Sequence, residues 1–184
     1  MDILHNKIGF VGPSFSLHNR LRRFLFNAVW LFFCRFSPNF LHLWRIWVLN
    51  QFGADISYKA YVYPSVSIWA PWNLAMAEFA TLGPKVICYN IAEIILHRCA
   101  VVSQSAFLCT GTHDYASADF DLRAYPIELH ANAWIGAEAF VGPGVAIGEG
   151  AILGARGVAF KNLQPWGIYI GNPAVYLKDR VLRR

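Results

Sequence analysis

The sequence predicts an all-β solenoid, and two features of one stretch carry the prediction. Between Leu129 and Val158 an aliphatic residue recurs at every sixth position: Leu129, Ile135, Val141, Ile147 and Leu153. From Ile135 onward a glycine follows each, and the fifth place of every hexad holds a small or β-branched residue, Ala133, Ala139, Val145, Ala151 and Gly157. Neither a helix, with its period of 3.6, nor a single strand, with its period of 2, has this rhythm. A short apolar segment that turns after six residues cannot bury its own face, so successive turns must stack around a shared core. If three such segments close one coil, the first-position aliphatics point inward. The glycines then sit at tight bends, where positive φ or close backbone approach penalises a Cβ. Rungs of such a stack lie about 4.8 Å apart.

The remaining elements follow in chain order. Residues 1–20 carry glycine, proline and asparagine without periodicity and predict an irregular arm. From Leu21 to Trp47 the runs FLFNAVWLFF, FLHLW and IWVL are broken by Arg35, by Ser37-Pro38 and by Arg45. Two short helices meeting at Pro38 are expected, since proline lacks the N–H a helix interior needs. The longest uncharged run, Phe24 to Cys34, falls short of the roughly 20 apolar residues that span a bilayer. The segment 21–47 therefore lies along a membrane surface, with Arg22, Arg23 and Arg35 near headgroups, or packs on the solenoid or a neighbouring subunit. Arm and helices form a first unit, residues 1–50.

The solenoid is expected over residues 51–175. Ile56, Val62, Ile68 and Leu74 fall six apart; Leu82, Cys88 and Ile94 keep the spacing in a shifted frame, and Leu96, Val102 and Leu108 in a third. Frame shifts imply small insertions at corners, with Pro71-Trp72 and Pro84 marking two of them. The repeat stops between His113 and Pro126, so a loop over 113–126 projects from a regular prism. Such interruptions of a rigid scaffold are where function concentrates. Gly171-Asn172-Pro173 closes the last coil, and a basic tail, 176–184, caps it.

Composition narrows the class. With 184 residues, 56% apolar, 15% charged and a net charge of +5, the chain is neither disordered nor a general nucleic-acid-coating protein. Basic residues gather at the two ends, Arg20, Arg22, Arg23, Arg35 and Arg45, then Lys178, Arg180, Arg183 and Arg184, which suits anionic partners. Cys34, Cys88, Cys99 and Cys109 form no CxxC pair, and free, mostly buried thiols in a reducing compartment are expected. No charged start leads directly into an apolar stretch with a small-residue cleavage site, which predicts a cytoplasmic rather than a secreted protein.

The segment LCTGTHDY (Leu108 to Tyr115), the loop DFDLRAYPI, the glycine hexads, the Lys161 segment and GNPA at Gly171 to Ala174 carry a resemblance. Together they resemble the hexapeptide-repeat acyltransferases of the left-handed β-helix group. More narrowly they resemble its colanic acid biosynthesis acetyltransferase branch, over roughly residues 20 to 180. The resemblance implies a left-handed parallel β-helix with an N-terminal helical segment and a short C-terminal cap. It also implies a homotrimer, acetyl-CoA as acyl donor in the groove between adjacent solenoids, and a sugar or glycan hydroxyl as acceptor.

His113, where the repeat gives way to the loop, resembles the family's catalytic histidine. Imidazole suits acyl transfer from a thioester because it accepts a hydroxyl proton near neutral pH and later returns one to a thiolate. Cys109, four residues away, would allow a covalent route instead, but it sits inside a repeat. On the acceptor side the resemblance points to Asn90, Asp121 and Trp134, with Asp114 adjoining the histidine. With Asp119 and Glu128 these are the carboxylates in or just after the loop, and one of the four is expected to orient the imidazole or bind acceptor hydroxyls, the rest to stand in solvent. For acetyl-CoA it points to Ala137, Ala155, Phe160 and Lys161, with Phe160 replacing a threonine common there. Lys161 and Lys178 would meet the phosphates, helped by Arg180, Arg183 or Arg184.

Two other classes stay open. A metal enzyme of the same fold, the γ-class carbonic anhydrase, needs a close histidine pair within adjacent coils, and His97, His113 and His130 do not match that spacing, so no metal is expected. A noncatalytic scaffold or binding module would have uninterrupted coils and no histidine motif.

Overall fold

The computed structural model describes residues 14–182. It contains a solenoid of about six turns whose parallel strands line up on three faces. The first face holds Asp55–Ile56, Leu74–Met76, Ile94–Leu96, Ile127–Leu129 and Ala146–Ile147; the third holds Ser67–Ile68, Ile87–Tyr89, Phe107–Cys109, Phe140–Val141 and Val158–Ala159. The second face runs from Tyr61–Val62 through Thr81–Leu82, Val101–Val102, Trp134–Ile135, Ile152–Leu153 and Gly167–Ile170. There the final strand, Val175–Asp179, folds back antiparallel on Gly167–Ile170 and closes the sheet edge. The cap expected at the C-terminal end is thus a five-residue edge strand; Arg183 and Arg184 lie outside the described residues.

All the sequence frames point inward. Leu82, Ile94, Leu96, Val102, Leu108, Leu129, Ile135, Val141, Ile147 and Leu153 are completely buried, in one core with Ile56, Val62, Ile68, Leu74 and Cys88. Of the two reasons expected for glycine at the bends, positive φ and close approach, different positions show different ones. The left-handed backbone falls three residues after each inward aliphatic, at Asn132, Glu138, Gly144, Gly150 and Arg156. Gly136, directly after Ile135, is required by close approach instead: a Cβ there would stand 2.5 Å from the backbone nitrogen of Ala155 in the next coil.

Coil length varies at one corner only. Asp55, Ala75 and Ile95 are in register, so the first coils take 20 residues. Glu128 pairs with Ile95 after 33 residues and Ala146 with Glu128 after 18. The extra residues, including the 3₁₀ turn Pro71–Asn73 and the hairpin Gly111–His113 with Leu122–Ala124, all leave the solenoid between the third and first faces.

The N-terminal segment is helical earlier than expected. A first helix, Leu17–Val29, starts where the Ser16 hydroxyl accepts from the Asn19 N–H, so residues 17–20 are not part of an arm. The helix continues as one π-type turn, Trp30–Cys34, and a second helix, His42–Gln51, follows the turn at Pro38. Phe26, Trp30 and Cys34, four residues apart, join Ile46, Val48 and Leu49 in the core and cover the open end of the first coil. Three of the five N-terminal arginines turn inward rather than toward a partner. Arg45 is fully buried, donating to the carbonyls of Val62, Pro38 and Asn39 and to the Ser37 hydroxyl. The guanidinium of Arg22 lies 4.0 Å over Trp72, and that of Arg23 4.2 Å over Trp69. The opposite side of the helices stays apolar and exposed, with Phe24, Phe32, Phe33, Phe36 and Phe40 each more than 60% accessible. No described helix is long and apolar enough to cross a membrane.

This register predicts that Gly136→Ala costs about 1–3 kcal/mol, because the clashing atom is backbone and cannot rotate away. Urea unfolding monitored by circular dichroism measures it; a variant as stable as the parent would contradict the inter-coil spacing.

Candidate active site at the third-to-first corner

The corner that gains residues is held together before any loop projects from it. Asn90 is completely buried, its Oδ1 accepting from the N–H groups of Trp69 and Ala70 and its Nδ2 donating to the carbonyls of Ala70 and Asn73. Asn73 returns the contact by donating to the carbonyls of Asn90 and Ile91. One coil on, the Thr110 hydroxyl donates to the Tyr89 carbonyl and accepts from the Ala92 N–H. Asn90 was expected to meet the acceptor; its amide instead uses all its hydrogen-bonding capacity on the corner.

From this base the chain enters the hairpin through Gly111, where a Cβ would come within 2.9 Å of both Tyr89 and Ile91 side chains. His113 ends the first hairpin strand, opposite Leu122. Its Nδ1 lies 2.8 Å from the Phe120 carbonyl oxygen, and its ring stacks on the Phe120 ring at 4.5 Å and 13°. A carbonyl can only accept, so the proton belongs on Nδ1 and the lone pair on Nε2. Phe120, held at φ 47°, thus offers its carbonyl to the imidazole. The Asp114 N–H donates to the Asp121 carbonyl, and both carboxylates face Arg123, at 3.7 and 3.9 Å. Arg123 had no signal in the sequence beyond its place in the loop.

Cys109 is half-buried beneath the hairpin, its thiol donating to the Gly111 carbonyl at 3.4 Å. Burial pushes that thiol up, away from the thiolate a nucleophile needs. Cys88, wholly buried, is pushed up to about 12, and Cys34 to about 11. All four cysteines are free.

The other expected site residues lie elsewhere on the prism. Trp134 is on the second face, its indole N–H donating to the Ser103 hydroxyl. Ala137 and Ala155 stack at the second-to-third corner, where the Arg156 N–H donates to the Ala137 carbonyl. Phe160 is exposed beside Phe140, at the far end of an outward aromatic strip that includes Phe107. Lys161 follows it, whereas Lys178 stands on the second-face edge strand, so one chain does not bring the two lysines together. The Arg180 guanidinium donates to the Asn132 and Gly150 carbonyls and braces two coils rather than a free tail.

His97 and His130 were expected to lack the spacing of a pair, yet the long coil sets them side by side, their rings parallel within 3° at 5.3 Å.

No protein-family model matches the chain. Over 174 residues it is 39% identical to the protein named colanic acid biosynthesis acetyltransferase WcaF in Escherichia coli strain K12, covering 94% of this chain and 96% of that one. Among solved structures, a galactoside acetyltransferase in complex with coenzyme A superposes with a TM-score of 0.79 at 17% identity, over 92% of this chain and 86% of that one. A hexapeptide-repeat acetyltransferase of Vibrio cholerae, solved with acetyl coenzyme A, gives 0.78 at 19% identity, over 90% and 91%. These neighbours give the fold as a left-handed β-helix.

Asn90→Ala should remove four internal hydrogen bonds and lower the melting temperature by several degrees. A melting temperature left unchanged, with only the Michaelis constant for an acceptor raised, would return Asn90 to the acceptor side.

Proposed function

The chain belongs to the hexapeptide-repeat acetyltransferases of the colanic acid biosynthesis WcaF kind, and from that premise we propose that it moves acetyl from acetyl-CoA to a hydroxyl of a sugar or glycan acceptor. One observation supports the mechanism: in the neutral ring the Phe120 carbonyl can accept only from an N–H on Nδ1, which leaves the lone pair on Nε2. His113 takes the proton of the attacking hydroxyl as its oxygen bonds to the thioester carbonyl carbon. A backbone N–H steadies the oxyanion, the carbon–sulfur bond breaks, and His113 returns the proton to the departing thiolate. The acetyl group passes directly between substrates, with no acyl-enzyme; the raised Cys109 thiol supports that route.

His113 is exposed in a single chain, and acyl transfer needs bulk water kept out. This favours a homotrimer in which a second solenoid covers the hairpin. Trp134, on another face, would reach an acceptor at His113 only from that neighbour. Acetyl-CoA would run along the inter-subunit groove past Ala137 and Ala155, whose small side chains leave room, toward Phe160 and Lys161. Lys161 would meet phosphate as a point charge; Lys178 would do so from the adjoining chain. Asp114 and Asp121, gathered around Arg123, are suited to receiving acceptor hydroxyls.

The apolar helix face is placed here at the cytoplasmic surface of an anionic membrane, where lipid-linked glycan intermediates are met. No aspartate or glutamate occurs between Asp2 and Asp55. Exposed Arg20, Phe24, Phe32 and Phe33 lie on the first helical stretch, and exposed Arg35 and Phe36 on the turn directly after it, a pattern that matches an interfacial helix.

Thiol release from acetyl-CoA across sugars, nucleotide sugars and glycan fragments tests the chemistry. His113→Ala should lose about 10²–10⁴-fold in rate, and Cys109→Ala should stay within a few-fold of the parent. Full activity in the first, or loss confined to the second, would overturn direct transfer. For the membrane, the protein should float with phosphatidylglycerol vesicles, less so with neutral ones, and Phe32→Ser/Phe36→Ser should abolish flotation. Equal recovery of parent and variant in the soluble fraction would remove this surface from the account.

A further inference from the structure

A second cluster stands at the other edge of the first face, where the sequence alone showed only scattered histidines. The 33-residue coil puts Ile127–Leu129 directly beside Ile94–Leu96, so the residues that follow the two strands are also neighbours. The His97 N–H donates to the Leu129 carbonyl, and the His130 N–H donates to the Ile147 carbonyl in the next coil. The two imidazoles are therefore one rung apart on a rigid ladder, and their rings stack parallel. Ala77 and Gly148 occupy the rungs on either side, so no bulky side chain crowds the pair.

Glu128 completes the arrangement from the same strand. Its Oε1 lies 2.6 Å from His97 Nε2 and its Oε2 4.0 Å from His130 Nε2. Two imidazole nitrogens thus aim at one carboxylate, and the three ligand atoms lie within 4.8 Å of one another. All three side chains are about two-fifths exposed, at 40–43%, so an ion has access without unfolding. Among the described residues this is the one group of histidine, cysteine and acidic side chains that meets so closely.

We propose that His97, Glu128 and His130 bind one divalent first-row transition ion, with zinc the best match. The donor set is borderline, two nitrogens and one oxygen, which favours zinc, cobalt or nickel over magnesium or calcium. Tetrahedral bonds of about 2.0–2.2 Å hold donors roughly 3.4 Å apart, so His97 Nε2 and Glu128 Oε1 move apart from 2.6 Å while His130 Nε2 closes from 4.0 Å, a rotation of side chains that leaves the rungs where they are. The open positions go to water. Because His97 follows the strand before the projecting loop, and Glu128 lies in the strand after it with His130 directly following, the ion clamps the two ends of the coil that carries His113. It lies at a different corner from His113 and takes no part in acyl transfer.

Tag-free full-length protein, stripped with a chelator, is titrated with zinc chloride by calorimetry and with cobalt chloride by visible absorption. The expected result is one ion per chain, a rise of a few degrees in melting temperature with saturating zinc, and d–d bands of cobalt in a low-coordinate nitrogen and oxygen site. His97→Ala/His130→Ala and Glu128→Gln should each weaken binding at least tenfold, while melting of the stripped protein changes little. No binding by the stripped parent, or equal affinity in the double variant, would overturn the proposal.

Discussion

A strand of two or three residues has no stability of its own, and the solenoid is built almost wholly from such strands. What holds it is register: each backbone group on one rung pairs with the rung above and below, and each inward side chain rests on its equivalents in neighbouring coils. The aliphatic columns, the close approach at Gly136 and the left-handed corners at every sixth residue all follow from that alignment. So do the ends. An open first coil would expose both apolar core and unpaired backbone, and the helical pair covers it with Phe26, Trp30, Cys34 and buried Arg45. At the other end the antiparallel strand Val175–Asp179 lies along the edge of the second face.

The same constraint explains where chemistry is placed. A solenoid tolerates extra residues only where they leave the ladder without shifting it, which is at a corner. Here three successive coils expand at one corner, and each expansion is pinned to the last by side-chain bonds from Asn73, Asn90 and Thr110. The third expansion is long enough to form a hairpin that closes on itself, and His113 bonds within it to the Phe120 carbonyl. A backbone carbonyl thus meets the imidazole at Nδ1, while Asp114 and Asp121 are gathered around Arg123.

Inward positions were legible in the sequence because burial imposes a period, and Leu129 through Leu153, like Ile56 through Leu74, obey it without reference to anything distant. The position of His113 was legible because the period breaks there. Contacts between coils were not legible. Whether His97 meets His130, or Asn90 faces a ligand or a neighbouring turn, depends on the number of residues spent at each corner, and the frame shifts do not give that number. Ser16 as a helix cap and Arg45 as a core residue were hidden for a related reason: a hydroxyl before a helix and an arginine among aromatics read alike whether they face water or carbonyls. Phe120 was invisible because it acts through its carbonyl, which every residue carries.

The account rests on the state of one ring, so the most direct measurement is the ¹⁵N chemical shift of the two His113 nitrogens in the neutral imidazole. The account predicts a protonated Nδ1 coupled to the Phe120 carbonyl and an unprotonated Nε2. A proton on Nε2 with a bare Nδ1 would contradict it, since the nitrogen facing the acceptor would then have no lone pair with which to take a hydroxyl proton.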